Sequence, residues 1–258
     1  MKRLPLLTLI FALLSAMFFL LLIFLRIPSP RYPLMSIQDT LDLLTPLVLI
    51  PIYWLLFTHA AVDAPKKAGQ IAFLVLTALW VLGQGMHLAA NSINNLTENL
   101  AKTQVLDILS SDIYTLTYFY DEYLSHFIWH LGIVGLAALI ITRAWRGTSP
   151  MATNWWFAGI GGFIYGLTKF MVFDEGQTAA FIGFPFSLVI TGIFLIWGRK
   201  KLAASPILAF FFIAFAVTLV LLVGWYLYWG CFTEILDPAS SILPAGVVKQ
   251  NSLLAKVA

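Results

Sequence analysis

Glu122, His126 and His130 stand at i, i+4 and i+8 within the stretch 118–132. On a helix that spacing carries them up one face, drifting by about 40° per step. Asp121 lies beside Glu122, and the stretch opens a long apolar run. A second stretch, 83–91, places His87 and Asn91 at another i, i+4 spacing. Ionisable side chains inside a membrane span are costly and by default mark a site. Histidine is the commonest metal ligand, and two on one helix face can chelate an ion. A carboxylate one turn away serves as ligand, general base or ring-orienting acceptor. His87, His126 and His130 are therefore the expected metal ligands, with Glu122 and Asp121 as base or orienter. Glu122 and His130 are about 12 Å apart at 1.5 Å per residue, so they are not expected to share one ion. The alternative set is His87 with Glu122 and His126.

Lys169, one turn from Tyr165, is the remaining candidate. Lys169 or Asn91 would stabilise a developing oxyanion, and Asn91 and Tyr165 would hold substrate. The competing reading of Lys169 is snorkelling towards the surface or pairing with Asp174 or Glu175. A hydrogen-bonded network without metal is the corresponding alternative for the histidines.

What must position these residues is a set of membrane helices. Of the 258 residues, 60% are hydrophobic and only 10% charged; the mean hydropathy is +0.90. Seven apolar runs, near 6–25, 42–59, 71–91, 119–142, 155–173, 178–197 and 207–230, approach or exceed the roughly 18 residues that span a bilayer. The expected fold is an all-α polytopic membrane bundle of about seven helices, one domain over 1–258. The first run is too long for a signal-peptide core and is read as an uncleaved helix. The net charge of +3 sits in short basic clusters between runs, which does not suggest a nucleic-acid partner. A single cysteine, Cys231, excludes an intrachain disulfide and a thiolate cluster, and reads as a packing residue.

Basic residues set the orientation. An inner N-terminus puts Lys2, Arg3, Lys66, Lys67, Arg143, Arg146, Arg199, Lys200 and Lys201 on the cytoplasmic side, against Arg26, Arg31, Lys102, Lys249 and Lys256 outside. The N-terminus is then cytoplasmic, the C-terminus outside, and the site near the outer face. A reporter fused after Lys67 or Arg146 should be cytoplasmic, and one fused within 95–112 external; the reverse pattern would invert the assignment. Segment 92–117, with apolar residues at helical spacing between polar ones, reads as an extracytoplasmic amphipathic segment lying on the surface, or as the third helix running on. Residues 238–258 form a short C-terminal tail.

Seven spans, the Gly85-Met-His87 element, and Asp121 and Glu122 followed by His126 and His130 together resemble the alkaline ceramidase and adiponectin-receptor group. Those are membrane hydrolases with a zinc held by three histidines. There the histidine pair belongs to the last span, whereas 207–230 contains no histidine. The resemblance implies only that a three-histidine site in such a bundle can hydrolyse a lipid amide or ester. The expected function is thus a metal-dependent enzyme, zinc being the first choice, acting on a lipid in the plasma membrane or a bacterial inner membrane. Its rivals are a b-type haem protein with His87 and His126 or His130 as axial ligands, a transporter, and a non-catalytic assembly protein. Neither a retinal protein nor a G-protein-coupled receptor fits: the one intramembrane lysine is in the fifth run, and the charge balance opposes an external N-terminus.

Overall fold

A computed structural model describes residues 4–21, 37–104, 108–148 and 151–233; the expected tail and the end of the first apolar run lie outside them. The described residues are helical apart from short connections, and no strand is found among them. Helix α1 is Leu4–Ser15, continued by a π-helical turn, Ala16–Leu21. Helices α2 (Ile37–Asp42), α3 (Thr45–His59) and α4 (Lys67–Gln104) follow, and α5 (Asp112–Tyr118) passes through a π segment, Phe119–Ser125, into α6 (His126–Arg146). Then come α7 (Trp155–Glu175), a third π segment (Ala179–Gly183) leading into α8 (Phe184–Trp197), the short α9 (Arg199–Ala204) and α10 (Pro206–Trp229). Among the described residues, six continuous helical stretches are long and apolar enough to cross a membrane, and Leu4–Leu20 is a shorter apolar one. Each expected run therefore finds a helix, and the chain is an integral multi-pass helical membrane protein.

Local chemistry fixes the helix ends. The Asn154 side chain accepts from the Trp156 and Phe157 amides at 3.1 and 3.4 Å and starts α7. Ser205 caps α10, with Pro206 in the first turn where its missing N–H is harmless. Pro46 and Pro185 likewise lie at the starts of α3 and α8, while Pro51 is inside α3; all three fall within the candidate spans Ile37–His59 and Ala179–Trp197. Helix α4 does not stop at the bilayer: its 38 residues extend roughly 57 Å at 1.5 Å per residue, against a hydrocarbon core of about 30 Å. Segment 92–117, expected either to lie on the surface or to continue the third helix, is divided. Residues 92–104 finish α4, and α5 turns back beside it, held by Tyr114 donating to Glu98 at 3.1 Å.

Two helix pairs form the frame. Helices α4 and α6 run antiparallel with their backbones nearly touching: a Cβ at Gly83 would sit 2.5 Å from the Trp129 nitrogen, and one at Gly132 2.8 Å from the Leu76 carbonyl. Small residues permit this approach at membrane helix crossings. Helices α7 and α10 run parallel, with Gly162 against the Phe210 carbonyl and Thr218 donating to the Gly166 carbonyl at 2.9 Å. Gly85, by contrast, has nothing within 4 Å of a Cβ. Helix α1 joins the frame by packing on α7 and α3, and α8 lies against α10. Between them a core of Phe11, Tyr53, Trp80, Tyr165, Phe210 and Phe211 is fully buried.

The two ends of the bundle differ. At one, Arg143 donates to the Phe57 and Asp63 carbonyls, Lys201 to the Trp145 carbonyl, and the Val62 amide to the Thr148 carbonyl. These contacts tie three connections together and gather the basic residues of 66–67, 143–146 and 199–201. The other end carries His87, His126 and His130.

Candidate functional site

His87 lies twenty residues into α4, roughly 30 Å from its start, at the edge of a bilayer-thick layer. The close crossing at Gly83 brings it against the beginning of α6. Its Nδ1 is 2.7 Å from an Asp121 carboxylate oxygen, and the side chains are 20% and 3% exposed. The other Asp121 oxygen accepts from Asn94 at 2.8 Å. A carboxylate holding Nδ1–H leaves the His87 Nε2 as a base. The π segment explains why Asp121 does this rather than Glu122. A π turn repeats at i, i+5, so Asp121, five residues before His126, takes the position that regular α spacing would give Glu122. Glu122 instead accepts from Gln177 at 3.3 Å, while its backbone carbonyl is 3.2 Å from the His126 Nδ1.

The three histidines do come together. The His87 and His126 ring centroids are 4.6 Å apart and tilted by 39°; those of His126 and His130 are 5.7 Å apart at 19°. His130 is buried, with its Nδ1 2.5 Å from the Thr178 hydroxyl, which itself donates to the Phe173 carbonyl at 3.3 Å. Trp129 packs against all three rings.

A shared metal would require the three Nε2 atoms to aim at one point. Here the rings lie face over face, and among the described residues no group of three or more His, Cys, Asp or Glu is set to hold a metal ion. Neither the tri-histidine set nor the set that includes Glu122 is arranged as a metal site among the described residues. Nor does a haem fit between His87 and His126, whose rings are already in contact.

The other expected members are dispersed. Asn91 donates to Asp39 at 3.4 Å and accepts from Asn95 at 3.0 Å. Tyr165 belongs to the aromatic core, its hydroxyl 2.6 Å from that of Tyr53. Lys169 does not snorkel: it is 1% exposed, and its Nζ lies 4.7 Å from the Phe19 ring centre and 5.0 Å from that of Tyr165.

Several site members were not anticipated. Gln84 accepts from the Trp80 indole at 2.6 Å and donates to the Asp42 carbonyl and carboxylate at 2.7 and 2.8 Å. Asp42 is close enough to His87 for their charges to interact. Asp39, Asp42, Asn94 and Thr178 thus join the site from α2, α4 and the turn after α7. The available signals were the i, i+3 acid pair at 39 and 42 ahead of an apolar run, and Gln84 three residues before His87.

No protein-family model matches the chain. No solved structure matches it. A relative is found in the dog, Canis lupus familiaris: the ceroid-lipofuscinosis neuronal protein 6 homolog, 24% identical over 174 residues. The match covers 63% of this chain and 55% of that protein, so the chain spans about half the length of its relative.

Proposed function

We propose that this protein is a membrane-embedded enzyme acting on a lipid or another amphiphile by acid–base catalysis at the histidine end. The observation that supports this most is the Asp121–His87 pair: a part-exposed imidazole pinned at 2.7 Å by a buried carboxylate. Asp121 would keep His87 in the Nδ1–H tautomer, and Asn94 would keep Asp121 in place. The His87 Nε2 would take a proton from a water or hydroxyl attacking an ester or amide carbonyl, then return it to the leaving group. Its depth, at the border of the hydrocarbon layer, is where the scissile bond of a bilayer lipid resides.

The metal-dependent version of this reading has one observation in its favour. Each ring presents Nδ1 to an acceptor — the Asp121 carboxylate, the Glu122 carbonyl and the Thr178 hydroxyl — as metal-bound histidines do with their outer partners. It would require the rings to turn until the Nε2 atoms converge.

The test is to reconstitute the full chain in phosphatidylcholine nanodiscs, offer lipid esters and amides, and follow products by mass spectrometry alongside metal content. His87→Ala should lower turnover by about 10² to 10⁴, the scale of general-base loss. Stoichiometric metal lost on substituting His87, His126 or His130 would select the metal version. Turnover of none of these lipids, or turnover indifferent to His87, would sink the enzymatic reading.

A further inference from the structure

Below the histidines lies a group of buried polar atoms that the acid–base pair does not use. Lys169 Nζ, Trp129 Nε1 and His130 Nε2 are all buried, and none has a hydrogen-bond partner among the described residues. They belong to one neighbourhood. The Phe19 ring lies 4.7 Å from Lys169 Nζ and 5.8 Å from the Trp129 ring, and the Trp129 ring is 5.1 Å from that of His130. Lys169 makes no ion pair among the described residues.

The balance of hydrogens identifies what would complete the group. An ammonium brings three donors and an indole one, and neither can accept. Thr178 spends its own hydrogen on the Phe173 carbonyl, so His130 Nδ1–H donates to Thr178, which leaves Nε2 as an acceptor in the neutral ring. Four donor hydrogens against one lone pair is a deficit of acceptors. Ring faces flank Lys169 Nζ but supply no lone pair. A buried cation in hydrocarbon is ordinarily paired.

We propose that Lys169, with Trp129 and His130, forms a binding site for the oxyanion headgroup of an acyl-chain amphiphile. A carboxylate or phosphate oxygen would accept from Lys169 and Trp129, and a protonated headgroup oxygen could donate to His130. The choice of a fatty carboxylate as the first probe rests on the enzymatic reading, because hydrolysis of a lipid ester or amide releases one; binding itself is measured without turnover.

The experiment titrates oleate, dioleoyl phosphatidic acid and oleyl alcohol into the full chain in phosphatidylcholine nanodiscs, reading occupancy by native mass spectrometry. One of the two anions should bind, and its identity distinguishes a free carboxylate from a lipid phosphate. Lys169→Met should weaken that anion at least tenfold, and Lys169→Arg should retain most of it. Trp129→Phe, which keeps a ring and removes only the N–H, should weaken it severalfold and tests the site should Lys169→Met fail to fold. Binding of neither anion, oleyl alcohol matching the anion, or unchanged affinity in a folded Lys169→Met and in Trp129→Phe would overturn the proposal. Anion binding by a wild-type chain that turns over no lipid would overturn the enzymatic reading alone.

Discussion

Leucine at Gly132 should prevent α4 and α6 from closing, so that little monodisperse protein is recovered. A Cβ there would lie 2.8 Å from both the Leu76 carbonyl oxygen and the Trp80 nitrogen. At Gly83 it would meet the Trp129 nitrogen at 2.5 Å and the Ser125 carbonyl oxygen at 2.6 Å. These are backbone atoms, and no rotamer change moves them. One excess methyl in a packed core costs about 1–3 kcal/mol; a leucine needs the helices to part along their length, separating His87 from Asp121 as well. Gly85→Leu is the matched control, since nothing lies within 4 Å of that position, and exchanging Gly for a good helix former gains up to about 1 kcal/mol. Fluorescence-detected size exclusion with thermal challenge reads the difference. If Gly132→Leu and Gly85→Leu melted together, the crossing described here would be wrong.

Asp121 should separate catalysis from stability. Removing it in Asp121→Ala leaves Nδ1–H of His87 and the Asn94 amide without their acceptor. Soluble proteins lose about 1–3 kcal/mol per stranded group, while hydrogen bonds between membrane helices average nearer 0.6 kcal/mol, so a total of about 1–3 kcal/mol is expected. Asp121→Asn can still accept one hydrogen bond and should lose less stability, yet it no longer holds the Nδ1–H tautomer with a charge. Turnover should fall by about 10² to 10⁴ in both variants. A small drop in melting temperature with a large drop in activity, wild type against Asp121→Asn, is the pattern that a site produces. Activity in Asp121→Asn close to wild type would remove the carboxylate from any chemical role.

Much of this architecture is legible in the sequence, and the reasons for the remainder are specific. Apolar runs report burial in lipid directly, so each run finds a helix; the last three runs match theirs within a few residues, whereas α4 and the stretch 112–146 extend well past theirs because polar residues also continue a helix. The convergence of His87 with His126 and His130 follows from i, i+4 spacing on two helices, together with glycines that let them cross. Helical phase failed locally, because a π segment at 119–125 advances the register by one residue and exchanges Asp121 for Glu122. Asp39 and Asp42 were missed because charge at a span's end normally means solvent; only tertiary packing turns them towards Gln84 and Asn91. Lys169 was given a route to the surface that burial against Phe19 and Tyr165 denies. Asn91 and Tyr165 faced partners on α2 and α3 that no spacing in their own helices reveals.

The three π segments have a meaning beyond geometry. Ala16–Leu21 carries Phe19, Phe119–Ser125 carries Asp121 and Glu122, and Ala179–Gly183 begins one residue after Thr178. Each touches the same end of the bundle. A π turn is an α-helix with one surplus residue accommodated locally, so deleting a single residue within 119–125 restores ordinary helix while α5 and α6 keep their seats. Framework and chemistry are therefore separable by the loss of one codon. A lineage that no longer needed the site could lose it in one step and keep a bundle that still inserts and folds.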